Sequence, residues 1–205
     1  MQKMHLAATL SLGVLALVAA TAAAVRPPAR CLDSFVHNGH NYRIYGDLLN
    51  WDDAKNVAAK LTLNGVNGHL VRIDDQAEND VIAKRLQALD SRFTTRVNDG
   101  GGARYLWIGA TDQAAEGDWC WCDNNDSFWK GGPKGKVVAG RFANWGSSAN
   151  GAVPNEPDNY GGDQNAAAIA LDKWPVQGAV SLGRPCQWND IKQSNRLPFI
   201  VEFDR

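Results

Sequence analysis

The sequence predicts an α+β fold. Two helical patterns, at residues 51–61 and 74–89, fall together in the first half of the chain instead of alternating with strands. Short apolar runs at 105–110, 166–171 and 199–203 read as strands. Between them, residues 123–162 are rich in Gly, Asn, Pro and Ser and show little periodicity. An irregular segment of that length inside a compact domain is normally functional or disordered. This one carries Glu156-Pro157-Asp158, which favours function.

Residues 41–45, Asn-Tyr-Arg-Ile-Tyr, combine aromatic and β-branched side chains and predict a first strand. Asn50 can cap the helix that follows, Asp53 lies in its first turn, and Trp51, Ala54, Ala58 and Leu61 recur at helical spacing. Asn64-Gly65 and Asn67-Gly68 punctuate a turn before the short apolar run 69–73. The second helix opens at Asp74 or Asp75, with Ala77, Val81, Ile82, Leu86 and Leu89 on one apolar stripe. Residues 91–104, with three successive glycines, predict a loop, and 118–122 a further strand.

At the N-terminus a short basic start, an apolar run from Leu6 to Val25 and small residues at Ala22-Ala23-Ala24 match a secretory signal peptide cleaved near Ala24. An uncleaved anchor is the alternative, because the run almost reaches bilayer length. The expected organisation is a leader at 1–24, an N-terminal segment at 25–35 and one domain at 36–205, in an extracellular protein with no further membrane span. Losing the leader removes Lys3 from 21 basic residues and leaves 20 against 22 acidic ones, about −2 net. A nucleic-acid partner would need a basic patch and is not expected.

Eight tryptophans suit either a core or a sugar-contacting surface. Cys31, Cys120, Cys122 and Cys186 in an exported chain predict up to two disulfides. Cys120 and Cys122 sit on one strand face with their Cα atoms near the upper limit for a bridge, so each looks for a distant partner, Cys186 or Cys31. Four cysteines allow three connectivities, and the spacing does not choose among them.

The chain resembles a C-type lectin domain. The resemblance rests on Trp51-Asp52-Asp53-Ala54, Gly68-His69-Leu70-Val71-Arg72-Ile73, Asp75-Gln76-Ala77-Glu78-Asn79, Trp107-Ile108-Gly109-Ala110-Thr111-Asp112 and Gly117-Asp118-Trp119-Cys120-Trp121. Phe142-Ala143-Asn144-Trp145, Glu156-Pro157-Asp158, Trp188-Asn189-Asp190 and Pro198-Phe199-Ile200-Val201-Glu202-Phe203 follow in family order. It implies a C-type lectin-like fold: two helices, small antiparallel sheets and a long irregular ligand-binding loop. The family's two usual disulfides map to Ala58 with Val201 and to Asn165 with Gln193, so both are missing as complete pairs. Loss of such a bridge typically costs about 2–5 kcal/mol, which the apolar core or the chain's own cysteines must offset.

Carried over residue by residue, the family's principal Ca²⁺ site falls on Glu156, Asp158, Asp163, Asn189 and Asp190, oxygen ligands of the kind a hard cation takes. In the family the Glu-Pro bond is cis and turns both flanking side chains toward the metal. The ion binds two neighbouring sugar hydroxyls, while the side chains holding it also hydrogen-bond them. The resemblance thus implies carbohydrate contacts from Glu156, Asp158, Asp163 and Asn189, with Tyr160 beside the site as an aromatic that can stack on a sugar face, whereas Trp145 anchors the loop. The family's Glu-Pro-Asn form goes with mannose-type sugars and Gln-Pro-Asp with galactose-type ones. Glu156-Pro157-Asp158 puts an acid at both places and fits neither. A second family site maps to Asp112, Glu116, Asn159, Asp163 and Gln164, where two amides replace acids and weaken the affinity expected.

The leading expectation is a secreted, calcium-dependent carbohydrate-binding protein. The alternative is a lectin-like domain that binds a protein or another surface without sugar. An enzyme is not expected: His5, His37, His40 and His69 stand with no Ser or Cys nucleophile beside them, and no catalytic constellation can be assembled.

Overall fold

The structure, a computed structural model, describes residues 30–89, 94–148 and 153–205. The expected leader at 1–24 lies outside the described residues. Strands β1 (Cys31–His37) and β2 (His40–Leu49) pair antiparallel across Asn38-Gly39, whose φ angles of 48° and 86° are the left-handed pair that an Asn-Gly turn supplies. The strand expected at 41–45 is thus the middle of a longer β2. Its partner β1 takes in residues 31–35, which a boundary at residue 36 leaves outside the domain.

Helix α1 (Trp51–Ala58) starts where Asn50 Oδ1 accepts the Asp53 amide at 2.8 Å. Helix α2 (Gln76–Gln87) starts the same way, with Asp75 accepting from Glu78 N at 2.8 Å. Between them, β3 (Thr62–Leu63) turns at Asn64-Gly65 into β4 (Val66–Leu70). Then follow β5 (Arg96–Val97), β6 (Ala103–Thr111), β7 (Asp118–Trp121), β8 (Ser127–Lys130), β9 (Lys136–Val137), β10 (Ala166–Ala170), β11 (Trp188–Ile191) and β12 (Leu197–Phe203). Strand β5 lies in the stretch expected to be loop, and the β8–β9 hairpin lies in the stretch expected to be irregular. All three are too short to show an alternating pattern.

The strands connect in the order β1-β2-β12-β6-β7-β8-β9, and β10 joins β6 to β11. Side-chain alternation along them builds two cores. Leu106, Ile108, Ala110, Ile169 and Ile200 point to one, which α2 covers with Ile82 and Leu86. Tyr105, Trp107, Ala168, Phe199 and Val201 point to the other, which α1 covers with Trp51, Ala54 and Ala58. Ala58 and Val201, the positions of one missing family bridge, are both fully buried in this second core, so apolar packing stands where the disulfide would be.

The expected disulfides are not formed: Cys31, Cys120, Cys122 and Cys186 are all free. Register explains this. Cys31 faces Tyr45, and Cys120 faces Thr111 and Ser127. Cys186 lies beside Gln87 of α2. All eight tryptophans are buried, Trp145 among them, so none offers an exposed sugar-stacking face.

Candidate functional site

The site is built where the Gly/Asn-rich loop closes onto β11. Strand β10 holds β11 in register, with Ala168 opposite Asn189 and Ala167 opposite Asp190. Asp190 is fully buried, and its carboxylate receives the loop: Oδ1 accepts the Asp158 amide at 3.1 Å and Oδ2 the Asn159 amide at 2.7 Å. The preceding bond, Glu156–Pro157, is cis. Glu156 is also buried. Its Oε1 accepts the Trp174 indole N–H at 2.7 Å, and its Oε2 is sealed from solvent without any hydrogen-bond partner.

Ligand oxygens of Glu156, Asp158 and Asp190 lie within 4.8 Å of one another. Burial, and then the charge of Asp190, push the Glu156 carboxyl above its ordinary range. Burial likewise raises Asp190 and Asp158, against the amide hydrogen bonds that each accepts. Three converging carboxylates with a sealed, donor-free oxygen make an environment that a divalent cation relieves, and all the donors are hard oxygens. The residues present therefore fit calcium.

Asn189 lines the same cleft as Glu156 and Asp158. Tyr105 donates its hydroxyl hydrogen to Gly100 O at 2.8 Å, so it can only accept from Asn189 Nδ2 at 2.9 Å. That bond sets the amide orientation and leaves Oδ1 as the free end. Asp163 stands apart: its half-exposed carboxylate pairs with Lys192 Nζ at 3.0 Å. A cleft of about 260 Å³ opens beside the carboxylates, lined by Glu156, Asp158, Asn189, Tyr160, Trp174 and Pro175 among others. Tyr160 is 70% exposed at its rim.

The family model described as Lectin C-type domain matches residues 47–200. The chain belongs to the C-type lectin family. Halomucin of Haloquadratum walsbyi is 31% identical over 168 residues, covering 80% of this lectin chain and 1% of halomucin, so the chain spans a small fraction of that relative. The alpha-N-acetylgalactosamine-specific lectin of Patiria pectinifera is 28% identical over 167 residues, covering 82% of this chain and 76% of the relative. Among solved structures, C-type lectin CEL-I from Cucumaria echinata superposes with a TM-score of 0.55 at 21% identity, over 84% of this chain and 95% of that one. At that identity the likeness speaks for the fold.

The second set of expected ligands is less convergent in this lectin. Asp112 is buried, with Oδ2 accepting Gly117 N at 2.9 Å and Oδ1 unpartnered, and burial raises its pKa to about 6. Glu116 is exposed nearby, and its charge contributes to that rise. Asn159 Oδ1 accepts the Gln164 amide at 3.0 Å, and Gln164 Oε1 accepts the Tyr160 amide at 2.6 Å. Both amide oxygens are thus engaged in holding the loop. Among the described residues, Asp112, Glu116 and Asp163 do not form a group close enough to share an ion.

Trp174 and Tyr105 belong to the site although no motif marked them. Trp174 and Tyr105 act by hydrogen bonds to Glu156 and Asn189, contacts between residues 18 and 84 positions apart that no local spacing encodes.

Proposed function

We propose that this lectin domain binds carbohydrate through a calcium ion held by Glu156, Asp158, Asn189 and Asp190, with Asp163 drawn in from Lys192. The observation that carries the reading is the sealed, unpartnered Glu156 Oε2 among three mutually close carboxylates. Calcium bound there supplies coordination positions for two neighbouring sugar hydroxyls. The protein side chains set the selectivity. Asp158 stands where the mannose-type motif has an amide, and the Asn189 amide already donates to Tyr105. The site is therefore rich in acceptors and poor in donors, which predicts weak binding or an unusual choice of sugar. Tyr160, exposed at the cleft rim, offers a ring face for stacking. The relative from Patiria pectinifera is named for alpha-N-acetylgalactosamine, and that sugar belongs in the first panel to be tested.

The reading extends to a secreted protein on the signal-like residues 1–24, which N-terminal sequencing of the exported product tests. The functional test is binding to immobilised mono- and oligosaccharides in calcium and in EDTA. Retention on at least one sugar in calcium, released by EDTA, is expected. Absence of retention on every sugar would replace this reading with a lectin-like domain for a protein or another surface.

A further inference from the structure

A second constellation lies away from the calcium loop, on the three adjacent strands β2, β12 and β4, where Glu202 sits opposite Tyr42 on one side and His69 on the other. His40 Nδ1 approaches Glu202 Oε1 at 2.7 Å and Asp204 Oδ1 at 3.2 Å, and His69 Nε2 approaches Asp204 Oδ2 at 3.3 Å. We propose that His40, Glu202 and Asp204, whose ligand atoms lie within 4.8 Å of one another, form a binding site for a zinc-like divalent cation, independent of the calcium loop.

Three observations carry it. First, the donors are of the right kind. An imidazole with two carboxylates suits zinc and its first-row neighbours, whereas calcium takes oxygen alone. Second, the spacing fits. Ligands about 2.0–2.2 Å from a tetrahedral ion stand about 3.3 Å apart, close to the approach of His40 to Asp204. The His40–Glu202 contact, at 2.7 Å, opens by about 0.6 Å.

Third, the surroundings are those of a ligating group. Asp204 Oδ1 is sealed from solvent and has no hydrogen-bond partner, because the approach of His40 lacks hydrogen-bond geometry. His69 Nδ1 lies 2.9 Å from the Leu70 carbonyl and its Nε2 3.3 Å from Asp204 Oδ2, so His69 holds the Asp204 carboxylate from the other side. Glu202 is held in turn by the Arg72 amide, which donates to Oε2 at 3.1 Å. An open cleft of about 380 Å³, lined by Lys55, His69, Cys122 and Asp123 among others, reaches Asp204.

The test is zinc uptake by the intact protein in saturating calcium, measured by competition with a chromophoric chelator. One zinc per chain is expected. His40→Gln and Asp204→Asn should each weaken it by more than about tenfold, while Glu156→Gln leaves it unchanged. No zinc uptake, uptake indifferent to both variants, or uptake lost in Glu156→Gln would overturn the proposal. A measurement on the unaltered protein guards against variants that misfold. One equivalent of zinc should shift the ring resonances of His40, and shifts confined to other residues would count against the site.

Discussion

Trp174 donates its indole N–H to Glu156 Oε1 at 2.7 Å, while the other oxygen of the same buried carboxylate has no donor. One half of this carboxylate is satisfied from within the fold and the other half is not. Trp174→Phe leaves both oxygens unpartnered, besides removing core volume. The part due to the hydrogen bond should appear as a coupling of about 1–3 kcal/mol with Glu156→Leu in a double-mutant cycle of urea unfolding in EDTA. Strictly additive losses would show that the bond contributes nothing.

Trp174 is held in place by two glycines. A β-carbon at Gly183 or Gly146 would run into the Trp174 ring, although neither glycine has a left-handed φ. Gly183→Ala should therefore destabilise by about 1–3 kcal/mol through overpacking. It should weaken calcium binding as well, since the indole that orients Glu156 must move. Calorimetry giving an unchanged calcium affinity would separate Trp174 from the site.

Lys192 competes for Asp163, which it holds at 3.0 Å on an exposed surface. Lys192→Ala frees the carboxylate and removes a positive charge from the approach to the loop, so calcium affinity should rise severalfold. An equal or lower affinity in titrations at matched ionic strength would leave Asp163 outside the calcium site.

Glu78 gives the fold a pH dependence of its own. It is buried beneath Tyr42 and accepts hydrogen bonds from the Tyr42 hydroxyl and the Asp74 amide, each at 2.8 Å. Burial outweighs these bonds and raises its pKa from 4.5 to about 7. The folded state then binds more protons than the unfolded state between those values. Stability from this group is fully present below pH 4.5 and falls as pH rises toward 7, by about 3 kcal/mol in all. The difference between wild type and Glu78→Gln, unfolded by urea across that range in EDTA, should show this slope. Parallel curves would contradict it.

Local chemistry made the helices legible. Asn50 and Asp75 each cap the helix that the apolar spacing predicts, and the buried runs at β6, β10 and β12 mark their strands. Strands of two or four residues such as β5, β8 and β9 have too few positions to alternate, so pairing with neighbours defines them. Within the site, Glu156, Asp158 and Asp190 were readable because they stand in short motifs. The pairing of Asp163 with Lys192 and the orientation of Asn189 by Tyr105 were not, because each depends on residues brought together only by the fold. The cysteines misled for a related reason: compartment predicts disulfides, but register decides which sulfurs meet.

Calcium should stabilise what it binds. At a concentration about 100 times Kd it adds about 2.7 kcal/mol to the folded state, which raises Tm by roughly 5–11 °C for a domain of this size. The increment should vanish in Glu156→Gln, and an equal rise in that variant would place calcium elsewhere.

The most direct measurement is a calorimetric calcium titration of the EDTA-stripped protein beside Glu156→Gln, which keeps an acceptor for Trp174 but removes the charge. Saturable binding in wild type, weakened at least about tenfold in the variant, is the predicted result. No binding at millimolar calcium, or the same binding in both proteins, would contradict the calcium site on which the lectin reading rests.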